Sequence, residues 1–370
     1  MPKIVCHAGN GPDDVWAYCP SFGAALAFAV LFGLTTCTHI VQAVIYRKPF
    51  AMVLIMGGLW ELGGYVARIL SIENQLSSGI YTAQLLLILL APLWINAYIY
   101  MLLGRMIHFF LPKGEDRVFK IRARSITRMF VLFDITAFIV QAAGGTMTGP
   151  GASPSVQKTG LNIYTGGVGL QLFFLVIFVV LTAGFQRKIK GLKSPVGKTT
   201  EWPMDEEAQY RPPFSSLLNH HPHPGRSSFR VDSPTAASAS TPDLNLTTPL
   251  LRLLYLTLAL IIIRNIFRLV EFGTGIDSPT VEHEWFAYVF DAVPMFFALL
   301  VLNVFYPGKY LQGDRSDFSA EDKERKVMKR EMKQQKKDEK LERRAAKKMK
   351  KAGAGGPQYE VLNRVSSPLP

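Results

Sequence analysis

The sequence predicts an all-α membrane protein, a bundle of seven transmembrane helices with its N-terminus outside the cytoplasm and its C-terminus inside. Three observations lead there: long apolar blocks set apart by polar stretches, basic residues confined to alternate connections, and no basic segment ahead of the first block. The chain has 370 residues and is 49% hydrophobic, and that content is gathered into runs. A hydrocarbon core about 30 Å thick needs roughly 20 apolar residues of helix. Seven stretches meet that length: Ser21–Ile45, Phe50–Leu70, Thr82–Phe110, Ile126–Met147, Ile163–Phe185, Pro249–Phe272 and Trp285–Tyr306. Backbone amides in lipid must be satisfied inside a helix or a closed barrel, and these unbroken runs are too long for barrel strands.

The first run is not a cleavable leader, because it is too long and is preceded by Asp13 and Asp14 against Lys3. Short cytoplasmic loops carry the excess of Lys and Arg. The connections after the first span (Arg47, Lys48), the third (Lys113, Arg117, Lys120, Arg122, Arg124) and the fifth (Arg187, Lys188, Lys190, Lys193) are basic. Those after the second (Glu73), fourth (Lys158) and sixth (Asp277, Glu282, Glu284) are not. The chain therefore divides into an external N-terminal segment (1–20), transmembrane helices one to five (21–185), a disordered cytoplasmic loop (186–248), helices six and seven (249–306) and a basic cytoplasmic tail (307–370).

The loop earns its reading from composition: Pro203, Pro212, Pro213, Pro222, Pro224 and Pro234 surround the cluster His220, His221, His223, without the fixed surroundings a metal site needs. Its sequon at Asn245 should stay unmodified on the cytoplasmic side. Membrane topology accounts for most of the +13 net charge, so nucleic acid is not implied. The tail from Ala320 to Lys351 reads as a solvated charged helix, with an anionic-lipid contact surface as the sharper reading. Cys6 and Cys19 fall in the external segment as a disulfide or as two thiols, and Cys37 lies in the first span. Tyr18 and Trp285 fit one interfacial aromatic belt, Tyr46 and Tyr306 the other.

Charges inside the membrane carry the most information, at roughly 2.5–3.5 kcal/mol each at a helix centre. Glu61, Tyr65 and Arg68 follow at helical spacings and share one face of the second span. Arg264, Arg268 and Glu271 do the same on the sixth, and Asp291 sits early in the seventh. Gln141 and Gln171 add neutral polar groups at compatible depth, so the set reads as a polar cavity opening outward. The bland alternative is that these charges merely pair to hold the bundle together. Near the cytoplasmic side, Arg105 and Asp134 are expected to form a structural ion pair. The glycine pairs at Gly57, Gly63, Gly144 and Gly166 mark close helix contact, and Pro92 and Pro294 mark bends.

Several blocks together resemble the fungal lipid-translocating exporter family, the RTA-like seven-span proteins. They are Tyr18-Cys19-Pro20-Ser21, Glu61 to Arg68, Leu90-Ala91-Pro92-Leu93, Tyr100 to Arg105, Phe133-Asp134 with Gln141 and Gly144-Gly145, Gly169-Leu170-Gln171, Arg264 to Glu271, Glu284, and Tyr288 to Met295. The resemblance runs roughly from Trp16 to Tyr310 and departs in the long loop and the tail. It implies a fungal, multi-pass plasma-membrane protein linked to aminocholesterol resistance and to release of sphingoid long-chain bases.

The leading expectation is therefore a lipid translocator, exporter or lipid-stress resistance protein, acting on membrane lipids without a cofactor or its own ATPase. No Gly-x-x-x-x-Gly-Lys-Ser/Thr loop occurs. A seven-helix receptor for a lipid shares the topology, although Gly104-Arg105-Met106 and Asn303-Val304-Phe305-Tyr306-Pro307 are not receptor signatures. An intramembrane hydrolase would have only His39, His108, Asp134 and Asp291 as metal ligands, at mixed depths. The expectation is a non-enzyme. In the outer cluster, Glu61 and Asp291 are the candidate counter-ions for a cationic headgroup, and Glu271 is expected to fix Arg268.

Overall fold

A computed structural model describes residue 16 and residues 18–112, 117–148, 152–193, 243–275, 280, 283–312 and 318–351. Seven of its helices are long and apolar enough to cross a membrane, so the chain is an all-α multi-pass membrane protein. The His cluster of the long loop, the charges at Lys113, Asp277 and Glu282, and Cys6 lie outside the described residues.

Helix α1 (Phe22–Tyr46) opens on Ser21, whose Oγ accepts from the Ala24 N–H at 3.3 Å. It closes on Arg47 in the left-handed region, with Pro49 soon after to prevent continuation. Helix α2 (Ala51–Glu73) ends at Asn74, and α3 (Ser78–Phe110) follows with Pro92 inside it. A two-residue hairpin, Arg117–Val118 against Ile121–Arg122, leads into α4 (Ala123–Met147). Helix α5 (Pro154–Lys193) continues two turns past the predicted end at Phe185, so 186–193 is helix and not the start of the loop. Lys190 and Lys193 in its last turn complement the helix dipole there. A 3₁₀ turn (Leu244–Leu246) precedes α6 (Thr247–Gly273).

The seventh crossing, α7 (Glu284–Tyr310), is not a uniform helix. An α-turn (Glu284–Ala287) passes into a π-helical turn (Tyr288–Ala292) and then into regular helix (Val293–Val304). Pro294 has no N–H to give back to the preceding turn, and the backbone widens immediately before it. The sequence reading of Pro294 as a bend becomes, in the structure, a π turn that carries Asp291.

Consecutive helices are neighbours, and α7 returns to pack on α1, closing the bundle. Helix α3 is the most enclosed: Asn96, Tyr98, Tyr100, Leu102 and Leu103 are fully buried. By contrast Leu34, Val44, Phe173, Val180 and Val304 lie on the exposed surface, as side chains that face lipid do. Close approach is clearest between α4 and α5, where a Cβ on Gly144 would meet the Tyr164 N and lie 2.6 Å from the Gly160 O. No side chain fits between those backbones.

The tail is a separate unit, 317–370. Its helix α8 (Ser319–Lys351) is exposed throughout residues 325–347. Cys37 is a free thiol and Cys19 is disulfide-bonded.

Candidate functional site

The polar residues singled out from sequence gather in the half of the bundle where α1 begins and α2, α4 and α6 end. They fall into two charged groups, a separate amide pair and one solitary acid.

The first charged group joins α6 to α7. Asp291, in the π turn, faces two arginines: Arg264 Nε lies 2.5 Å from Oδ1, and Arg268 Nη2 donates to Oδ2. Arg268 Nη1 also donates to Glu271 Oε2 at 3.0 Å, one turn along α6. Arg264 Nη2 donates to the Ile88 carbonyl of α3 at 3.3 Å. Two cations meet two carboxylates in this group, as sequence spacing suggested for Glu271 and Arg268.

The second group joins α2 to α7 and to the segment before α1. Arg68 Nη2 donates to Glu284 Oε1 at 2.8 Å and to the Tyr18 hydroxyl at 2.9 Å, while Nε donates to the Tyr288 hydroxyl at 3.2 Å. Its guanidinium lies over the Trp16 ring at 5.0 Å and the Tyr288 ring at 5.3 Å. Glu284 Oε2 accepts from the Ser21 N–H at 2.8 Å, tying the start of α1 to the same charge. Trp16 is buried against Ala25 and Ile72. Sequence reasoning placed Glu284 in a loop and Tyr18 in an interfacial belt; both are partners of Arg68. The i, i+4 spacing of Glu284 and Tyr288 was the available signal. Tyr306, assigned to the other belt, is instead buried, its ring tilted against that of Tyr46 with centroids 5.0 Å apart.

Gln141 Nε2 donates to Gln171 Oε1 at 3.0 Å, so these two residues pair with each other across α4 and α5. Tyr65 is buried in an aromatic group with Phe28, Phe32 and Tyr288.

Glu61 is the solitary acid. It is 1% exposed, its Oε1 has no hydrogen-bond partner among the described residues, and it lies within electrostatic reach of Arg264, Arg268 and Asp291. Each arginine nearby is already held by another carboxylate. Further buried polar atoms without a partner among the described residues occur in the same half: Ser71 Oγ on α2, both amide atoms of Gln84 on α3, and Thr165 Oγ1 on α5. Buried polar atoms are normally satisfied, so these are groups with hydrogen-bonding capacity to offer a polar ligand.

The expected Arg105–Asp134 ion pair does not form. Asp134 Oδ2 accepts from Asn96 Nδ2 and the Tyr100 hydroxyl, whereas the Arg105 guanidinium lies over the Phe50 ring at 4.3 Å. The register explains the difference: α4 meets α3 with Thr127 beside Tyr100, and Gly104 faces Ala123, so Asp134 lies deeper in the bundle than Arg105. Among the described residues no three His, Cys, Asp or Glu gather as a metal-holding group, and the His39 ring meets the Leu299 carbonyl.

Comparison with known proteins places this chain among relatives. The RTA1 like protein family matches residues 54–314. A probable lipid transporter, atnI, of Emericella nidulans is 38% identical over 84% of this chain and 71% of its own length. The protoporphyrin uptake protein 1 of Saccharomyces cerevisiae is 27% identical over 78% of this chain and 91% of its own. The sphingoid long-chain base transporter RSB1 of Saccharomyces cerevisiae is 24% identical over 85% and 78%. No solved structure matches.

Proposed function

Because the chain belongs to the RTA1-like protein family, we propose that it is a membrane lipid translocator or exporter that moves cationic amphipaths such as sphingoid long-chain bases and so relieves lipid stress. It works without an ATPase of its own, in the plasma membrane, with the charged half of the bundle on the outer side. The observation that carries the reading is Glu61, a buried carboxyl left over after every neighbouring arginine has been matched.

An ammonium headgroup supplies what Glu61 lacks, a cationic donor, and Gln84 and Ser71 offer partners to headgroup hydroxyls. An anionic cargo would have to displace Asp291 or Glu271 from an arginine, exchanging one ion pair for another. The cluster is therefore better fitted to a base than to a free carboxylate or phosphate. Asp291, the other candidate counter-ion, already serves two arginines.

In α8, Lys326, Lys329, Lys333, Lys336, Lys340, Arg344 and Lys347 recur at three- and four-residue spacing and form one basic face. Such a face suits anionic lipid of the cytoplasmic leaflet, at about 1 kcal/mol per basic residue near the surface.

The test is flux of a fluorescent long-chain base through proteoliposomes, set against its uncharged N-acylated analogue. A hydrogen bond to a charged group is worth about 1.5–3 kcal/mol, or roughly tenfold and more in rate. Glu61→Gln should lose at least about that factor for the base, and with it the preference over the analogue. Full flux with an unchanged preference in a well-expressed Glu61→Gln protein would rule out the headgroup site.

A further inference from the structure

Away from the charged half, α3 and α4 share a second buried acid. Asp134 stands at the middle of α4 and is 1% exposed; Asn96, opposite on α3, is 0% exposed. Asp134 Oδ2 accepts from Asn96 Nδ2 at 3.0 Å and from the Tyr100 hydroxyl at 2.9 Å. The remaining two oxygens of the pair, Asp134 Oδ1 and Asn96 Oδ1, are both buried and both without a partner among the described residues.

While the aspartate is ionised neither of those oxygens can donate, so each can only accept. Two acceptors stranded in one buried amide–carboxyl pair lack a single hydrogen. A proton on Asp134 Oδ1 supplies it, because a carboxylic acid and an amide close a ring, with Nδ2–H to Oδ2 and Oδ1–H to the amide oxygen. We propose that Asp134 and Asn96 hold one exchangeable proton at the centre of the bundle, and that its uptake and release are coupled to lipid movement. The coupling rests on the transport reading given above; the proton site stands without it.

The surroundings separate this acid from the others. Among the described residues Tyr100 is the one titratable side chain that bonds the carboxyl, and its ring packs on Phe130 at 5.3 Å and Phe178 at 4.6 Å. Phe130 of α4 and Phe178 of α5 also pack on each other, at 5.2 Å, so the two rings that meet Tyr100 form one aromatic group. Among the described residues no arginine, lysine or histidine pairs with Asp134, unlike Asp291, Glu271 and Glu284. Both protonation states are nevertheless provided for. When the proton binds, the lone pair on Oδ1 takes it up and the negative charge disappears; when it leaves, the carboxylate keeps the Asn96 and Tyr100 donors on Oδ2. A permanently neutral asparagine would satisfy the same neighbours, so what the acid adds is a removable proton.

That equivalence supplies the experiment. In Asp134→Asn the new amide N–H can replace the acid O–H toward Asn96, so purified protein should match wild type in yield and thermal stability. Infrared difference spectra of the purified proteins should lose a protonated-carboxyl carbonyl band in Asp134→Asn, and Asn96→Leu should shift that band. In proteoliposomes, a proton gradient should accelerate base flux several-fold in wild type and leave Asp134→Asn unchanged. Loss of the band in a protein whose flux still responds to the gradient would refute coupling but keep the proton site. An unchanged carbonyl band, or a sharp loss of stability in Asp134→Asn, would refute the site itself, independently of whether the chain moves lipid.

Discussion

Asp291→Asn offers the most direct test of how the charged half of the bundle is held together. Asp291 is the shared carboxylate of Arg264 and Arg268, with side chains 4%, 3% and 12% exposed. The amide keeps the shape and removes the charge, leaving Glu271 as the one ion-pair partner of the two arginines among the described residues, with Glu61 in electrostatic reach but not in contact. Arg268 retains Glu271 at 3.0 Å, but Arg264 is left with one direct partner among the described residues, the Ile88 carbonyl at 3.3 Å. Stranding one buried guanidinium in this way costs about 3–5 kcal/mol. The variant should be poorly produced and should unfold at markedly lower temperature or denaturant concentration in detergent. Arg264→Met placed alongside removes the stranded charge and should recover about 2–3 kcal/mol of the loss, a coupling expected of groups in direct contact. Wild-type stability of Asp291→Asn, or a double variant no better than the single, would show that Asp291 is not the structural counter-ion and would return it to the headgroup site.

Two further outcomes follow from the bundle. Gly144→Ala should lower yield, at about 1–3 kcal/mol for overpacking, because the added Cβ meets the α5 backbone; Gly145→Ala, whose nearest neighbour would be Tyr164 Cδ2 at 3.7 Å, should be close to neutral, and thermal unfolding of both decides it. Epitope tags read in intact and permeabilised cells should be reachable after Pro370 only from the cytoplasm and before Lys3 only from outside; reaching both from one side contradicts an odd number of crossings.

Much of this architecture was legible because a bilayer imposes a simple length rule. The seven crossings appear in the sequence as apolar runs, and the ends of α1, α2 and α4 fall close to where composition changes. The ends of α5 were hidden, since a helix that continues beyond the hydrocarbon turns polar and looks like loop. Membrane energetics also picked out Glu61, Arg68, Arg264, Arg268, Glu271 and Asp291, because a charge in such a run needs a reason to be there. It did not tell which charges meet. Arg105 and Asp134 share an approximate depth in a linear reading, yet the α3–α4 register puts Asp134 beside Asn96 and Tyr100. Glu284 sits at a span boundary, where a charge needs no explanation, and only the closure of α7 onto α1 and α2 brings it to Arg68 and Ser21.

The sequence by itself thus determined the class of protein, the number of crossings and the residues too polar to face lipid, because hydrophobicity and charge are properties of each segment alone. The tertiary structure decided the partners. Helix rotation, register and the π turn before Pro294 place side chains to within an ångström, and ion pairing depends on distances of that order. That placement matches every arginine of the cluster with a carboxylate, leaves Glu61 over, and sets Asp134 among rings and an amide instead of against Arg105.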